Sequence, residues 1–166
     1  MKKAIVVSDT HGNNTNFHKV MKLHPDAMCI IHCGDVEGGE EDIRTSVSCP
    51  VYMVAGNNDY FNDLPREIEE YVFGRRIFVT HGHNYRVSVS PEMIRQEGVA
   101  RDCDVVFYGH THHADSSYED GLLIVNPGAL SDWYAPRYAI VDVADNGVMV
   151  PSLCVLSAEQ RGLTIK

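Results

Sequence analysis

Ala4-Ile5-Val6-Val7-Ser8-Asp9-Thr10-His11-Gly12 carries a short β-branched run that stops abruptly at a polar cluster. Ala4–Ser8 predicts a buried strand, and the cluster predicts a turn at its C-terminal end, with glycine allowing a tight reversal. The arrangement returns four times. Ala27–Ile31 runs into His32-Cys33-Gly34-Asp35, and Val51–Ala55 into Gly56-Asn57-Asn58-Asp59. Arg76–Thr80 runs into His81-Gly82-His83, and Asp104–Tyr108 into Gly109-His110-Thr111-His112-His113. Helical spacing falls between these strands. Asn16–Leu23 has Phe17, Val20, Met21 and Leu23 in register with Pro25 beyond, Glu40–Val47 is a shorter candidate, and Pro91–Arg101 has Ser90 as expected N-cap with Pro91 in its first turn. Strand alternating with helix predicts an α/β layer whose strand ends converge on one crevice.

Elsewhere the chain reads as hairpins. Glu67–Phe73 and Arg76–Thr80 flank Gly74-Arg75, Asp115–Glu119 and Leu122–Val125 flank Asp120-Gly121, and Arg137–Val143 and Val148–Leu156 flank Asp145-Asn146-Gly147. Pro151 places the last strand at an edge or bulge, and the final ten residues read as a surface tail. So many strands around few helices predict two sheets packed face to face with helices outside.

Composition narrows the function classes. The 166 residues are 44% hydrophobic and 22% charged, which suits one globular domain over residues 1–166 and excludes a disordered or fibrous chain. A net charge of −9 leaves no general surface for duplex nucleic acid. Apolar runs are far too short to cross a bilayer, and the N-terminus has no apolar signal core. Five cysteines with no CxxC pair suit reduced thiols, so a cytoplasmic location is expected.

The polar clusters hold the chemistry. Asp9 and His11 are two apart, as are His110 and His112, and in extended backbone such pairs face one side. Carboxylates, an amide and imidazoles without an evident thiolate form a mixed O/N donor set suited to Mn, Fe, Ni, Co or Zn. There are more donors than one ion needs. Two ions roughly 3.5–4 Å apart would use them.

With D-x-H at Asp9 and His11, G-D at Gly34-Asp35, G-N-x-D at Gly56–Asp59, H-G at His81-Gly82 and G-H-x-H at Gly109–His112, the sequence resembles the calcineurin-like metallophosphoesterases. It looks most like their small bacterial and archaeal phosphodiesterases, whose N-P-G-S segment is similar to Asn126-Pro127-Gly128-Ala129. The resemblance implies a four-layer αββα sandwich of two mixed sheets. It implies a first metal on Asp9, His11, Asp35 and His112, and a second on Asn57, His81 and His110 with Asp35 bridging. It also implies two divalent ions, manganese foremost, and a bridging hydroxide that attacks the phosphorus of a phosphate ester in line, a diester before a monoester. Two cations against Asp9 and Asp35 leave a positive field that attracts such a small anionic substrate despite the acidic chain. Asn57, Asn58, Asp59 and His83 are the expected catalytic loop residues. Asn58 stands where wider-family phosphatases carry a proton-donating histidine, and an amide is no general acid. Leaving-group protonation then falls to water or a residue such as His83. Similar small members also assemble as dimers or tetramers.

Several residues keep two readings. The resemblance also admits a catalytically weak or inactive metal-binding scaffold for protein partners, and the donor set admits a binuclear hydrolase of amides or other esters. His83 contacts phosphate or orients its loop. Arg86 and Arg137 clamp phosphate or only meet solvent. Trp133 and Tyr134 line an entrance, form an oligomer contact or anchor a loop. His113 is expected to point away from the ligand pair, His32 and Cys33 to be core residues, and His18 and His24 to lie at the surface.

Overall fold

The computed structural model describes residues 1–163. Its elements run β1 Lys2–Val7, α1 Thr15–Leu23, β2 Cys29–His32, α2 Glu40–Ser46, β3 Val51–Met53, β4 Glu67–Val72, β5 Arg75–Thr80, α3 Glu92–Ala100, β6 Val105–Phe107, β7 Asp115–Glu119, β8 Leu122–Asn126, β9 Arg137–Val143 and β10 Met149–Val155. Two five-stranded sheets form, in the orders β10-β9-β1-β2-β3 and β4-β5-β6-β8-β7. Each has a parallel trio, β1-β2-β3 or β5-β6-β8, with antiparallel strands added.

The period-two pattern of the strands builds the layers. Ala4, Val6 and Ile31 of one sheet meet Val79, Phe107 and Val125 of the other in a shared core. Ile5, Val7 and Ile30 face the opposite way, onto Phe17 and Val20 of α1 and Ile43 of α2. Phe78, Val106 and Ile124 pack on Ile94 of α3. The expected four layers are therefore present. Each fully buried side chain such as Ile5 or Phe78 stabilises the packing by about 1.5–3 kcal/mol.

Local boundaries differ from expectation in three places. The first hairpin turns on Phe73-Gly74 (φ 54° and 76°), one residue before the expected Gly74-Arg75, because Val72 pairs with Arg75 and both turn residues need left-handed backbone. Pro91 is itself the cap of α3 and Ser90 stands one position earlier, its Oγ accepting the Glu92 N–H at 3.1 Å. The chain after β10 is surface but not a loose tail, since Arg161 donates to the carbonyls of Trp133 (2.8 Å) and Tyr134 (3.2 Å). Residues 164–166 of that segment lie outside the described residues. The Asp120-Gly121 turn and the edge position of Pro151 are as expected. No helix among the described residues is long and apolar enough to cross a membrane.

Candidate metal centre

All five polar clusters follow the C-terminal ends of strands, three from one sheet (β1, β2, β3) and two from the other (β5, β6). The crevice therefore lies across the rim of two facing sheets rather than along one open sheet. Its backbone is unusual. Asp9, His11, Asp35, His110 and His112 all have positive φ, between 49° and 69°. Such conformations are uncommon away from glycine and concentrate at functional sites. The paired candidate ligands thus converge through left-handed turns beyond the strands, not through the extended backbone that their spacing suggested.

Asp9 is fully buried and Asp35 nearly so. His112 Nε2 lies 3.1 Å from Asp9 Oδ1, with His11 Nε2 at 3.6 Å and His81 Nε2 at 4.0 Å. His81 Nε2 is also 3.4 Å from Asp35 Oδ2. On the far side of His81, His110 Nδ1 is 3.3 Å from its Nε2 and 3.0 Å from Asn57 Oδ1. Asp9-His11-His112 and Asp9-Asp35-His81 are each compact enough to hold a cation, and Asp9 belongs to both groups.

Neighbouring groups aim these donors. His81 donates Nδ1–H to the Cys33 carbonyl at 2.7 Å, which turns Nε2 toward the carboxylates. His11 Nδ1 pairs with Glu37 Oε2 and leaves Nε2 for the centre. Asn58 donates its backbone N–H and its side-chain amide to the two oxygens of Asp35. Asp59 accepts three backbone N–H groups, from Val36, Glu37 and Gly56, so its carboxylate is spent on locking the β2 and β3 loops together. Asn126 ties the histidine loop down, donating to Gly109 O (3.2 Å) and Thr111 Oγ1 (2.9 Å) while accepting from Gly128 N–H. Close approach explains two glycines. A Cβ on Gly56 would overlap Asp35 Oδ1, and one on Gly109 would overlap Ser8 Oγ.

Electrostatics follow from this packing. Burial opposes the Asp9 charge, but hydrogen bonds from His11 and His112 outweigh it and hold the carboxyl well below its usual range. Asp9 in turn lifts His11 to about 9 against its burial, with Glu37 adding to the effect. His81 is raised as well, Asp35 and Asp9 overcoming its burial. His110 and His83 are lowered, by burial first and the charge of His81 second. Among the described residues, no lysine or arginine pairs with Asp9 or Asp35, so protons on imidazoles are their only positive partners. A buried carboxylate pair faced by imidazole nitrogens fits divalent cations. So does His83, whose buried Nδ1 has no partner and whose ring lies 5.5 Å from that of His81 and 6.0 Å from that of His110.

All seven expected ligand residues thus stand together, with Asn58 and His83 beside them and Asp59 turned into the loops. His32 is core, fully buried and pushed down to about 4 by burial, and Cys33 is core with its thiol raised. His113 is exposed. His18 and His24 are half-buried and engaged, with Asp42 and the Tyr138 hydroxyl respectively. Arg86 is exposed at the end of a 3-10 turn, His83–Tyr85, whereas Arg137 lines a cavity together with His110 and His112. Glu37 and the long-range grip of Asn126 were not legible in the sequence. Glu37 follows a turn, and nothing in the chain order shows that it reaches His11, 26 residues away.

Comparison with known proteins agrees with this geometry. Residues 1–146 match the model of the calcineurin-like phosphoesterase superfamily domain. The chain is 31% identical over 127 residues to the probable metallophosphoesterase YsnB of Bacillus subtilis, covering 76% of this chain and 73% of that protein. It is 30% identical over 156 residues to a phosphodiesterase of Methanocaldococcus jannaschii, covering 82% and 90%. The structure of Vacuolar Protein Sorting 29 from Cryptosporidium parvum shares the fold, with a TM-score of 0.74, 19% identity, and coverage of 94% of this chain and 98% of that one.

Proposed function

The chain belongs to the calcineurin-like phosphoesterase superfamily, and from that footing we propose that it is a phosphodiesterase working with two divalent cations, residues 1–166 forming one catalytic domain. One observation carries the reading: Asp9 and Asp35, both buried, are faced by imidazoles and amides with no lysine or arginine paired to them among the described residues. Asp9, His11, Asp35 and His112 would hold one cation. Asp35, Asn57, His81 and His110 would hold the other. Cations held there would supply Lewis acidity toward phosphoryl oxygens and would bring the deprotonation of water near neutral pH. Manganese suits the mixed oxygen and nitrogen donors.

The chain's own residues do the rest. Glu37 and the Cys33 carbonyl fix the Nδ1–H of His11 and His81, so each Nε2 is presented as a donor. Asn58 keeps Asp35 oriented, and Asp59 sets the loop that carries Glu37. His83 has a free Nδ1 and a lowered pKa, which suits a neutral hydrogen-bonding partner for a substrate oxygen rather than an acid. With an amide at Asn58, the leaving group departs without a positioned proton donor. The relative named as a phosphodiesterase supports a diester over a monoester. All five cysteines are free, in keeping with a reducing cytoplasm.

Vacuolar Protein Sorting 29 shares this fold, and a shared fold does not by itself establish catalysis. The complete donor set favours catalysis over a scaffold. The test is turnover of bis(4-nitrophenyl) phosphate and 4-nitrophenyl phosphate, with and without chelator. Diester hydrolysis that chelation abolishes, and that Asp35→Asn lowers by several orders of magnitude, is expected. Stoichiometric metal with no turnover of any phosphate ester contradicts the proposal and favours the scaffold.

A further inference from the structure

The segment between β8 and β9 is clamped along its backbone while its two large rings stay in solvent. Leu130 and Ser131 donate their N–H groups to Ser8 O (3.0 Å) and Asp9 O (3.2 Å). Asn16 donates to Leu130 O at 2.9 Å, and Asp132 Oδ1 accepts the N–H groups of Tyr134 and Ala135 at 2.9 and 2.8 Å. Arg161 holds the Trp133 and Tyr134 carbonyls from the other side. Yet Trp133 is 81% and Tyr134 87% exposed. Aromatic side chains stabilise a fold mainly by burial, so this fold fixes the loop without using its rings.

The loop also stands between two cavities. One, about 670 Å³, is lined by His110, His112, Tyr134 and Arg137. The other, about 370 Å³, is lined by Asn13, Lys19, Trp133 and again Tyr134. Both fall within the usual range for small-molecule sites. The Arg137 side chain makes no hydrogen bond or ion pair among the described residues, and it shares its cavity with two of the proposed metal ligands. Two exposed rings on a fixed loop, polar side chains beside them and an uncommitted arginine lining the same cavity as His110 and His112 match the parts of a nucleotide: base, sugar and phosphate.

We propose that the Trp133-Tyr134 platform binds a nucleobase and Arg137 the phosphate, so that the substrates are small nucleoside-bearing phosphodiesters. This rests on the phosphodiesterase reading above. The −9 charge argues for a mononucleotide-sized ligand rather than a long nucleic acid.

Trp133 is the single tryptophan of the chain and reports directly on the loop. The test titrates metal-reconstituted protein with adenosine 5′-monophosphate and with ribose 5-phosphate, following Trp133 emission and measuring affinity by calorimetry. The nucleotide is expected to quench Trp133 and bind about 5- to 100-fold more tightly than the base-free phosphate. Tyr134→Ala should erase that preference and leave ribose 5-phosphate binding unchanged, while Arg137→Ala should weaken both ligands alike. Equal affinities in the wild type overturn the proposal. So does a preference that survives the double change Trp133→Ala and Tyr134→Ala, or Trp133 emission that responds only to protein concentration, the mark of a contact between copies. Base-selective binding without turnover upholds the platform and defeats the enzymatic reading; turnover without base selectivity does the reverse.

Discussion

Asn58 grips both oxygens of Asp35, donating its backbone N–H to Oδ1 at 2.9 Å and its side-chain amide to Oδ2 at 3.1 Å. Where the resemblance to wider-family phosphatases points to a proton-donating histidine, this chain has an amide that clamps the carboxylate.

Leaving-group expulsion should therefore go nearly unassisted. Diester hydrolysis should slow steeply as the leaving-group pKa rises, with nitrophenyl esters far ahead of alkyl ones. A positioned acid is worth about 10²–10⁴-fold. Asn58→His should recover part of that for poor leaving groups and slow good ones, because the amide bond to Asp35 is lost. A leaving-group series on both proteins checks this, and a flat wild-type dependence would mean that another group already delivers the proton.

Glu37 should matter although it is exposed and touches no expected ligand other than His11. Removing a carboxylate that orients a ligating imidazole typically costs about 10–100-fold in metal affinity. Glu37→Ala should weaken binding by that amount with little change in the melting temperature of chelated protein. Competition with a metal indicator measures it. Unchanged affinity would reduce the His11–Glu37 pair to a surface contact.

Gly56→Ala is expected to separate site from fold. The added methyl would overlap Asp35 Oδ1, and overpacking of that kind costs about 1–3 kcal/mol where the backbone can give. Metal affinity and turnover should fall at least tenfold while circular dichroism stays that of the folded protein. Normal metal binding would show that the Asp35 loop yields freely.

Two histidines give chelated protein an optimum near neutral pH. His11 is raised to about 9, by Asp9 foremost, so its contribution is complete below the unfolded value of 6.5 and fades as pH climbs toward 9. Burial lowers His32 to about 4, so its native state is favoured above 6.5 and penalised as pH falls toward 4. Melting temperatures measured with chelator should drop on both flanks. Added metal should remove the alkaline loss, because it takes the place of the His11 proton, and should add about 2.7 kcal/mol per site at free metal 100 times Kd. An alkaline flank that metal leaves unchanged would contradict the placement of His11.

Much of this was legible in the chain. Short β-branched runs ending in Asp9, Asp35, Asn57, His81 and His110 announced strands with a site at their ends, because burial and turn chemistry are both local. Backbone handedness was not legible. Nothing about Phe73 announces a left-handed turn, and the i, i+2 spacing of Asp9 with His11 suggested extended chain where the structure has φ of 55° and 49°. Long-range grips were equally silent. Asn126 holds Gly109 and Arg161 holds Trp133, across 17 and 28 residues, and each is a consequence of how the sheets close rather than of any local pattern.

In the proposed function seven residues build a centre for two cations that hydrolyses a phosphodiester. Its most direct test is to strip the protein of metal and follow bis(4-nitrophenyl) phosphate hydrolysis while manganese is added in known equivalents under tight-binding conditions. A rate near zero without metal that reaches its plateau at two equivalents per chain is expected. A rate that survives stripping, or that saturates at one equivalent, would contradict it.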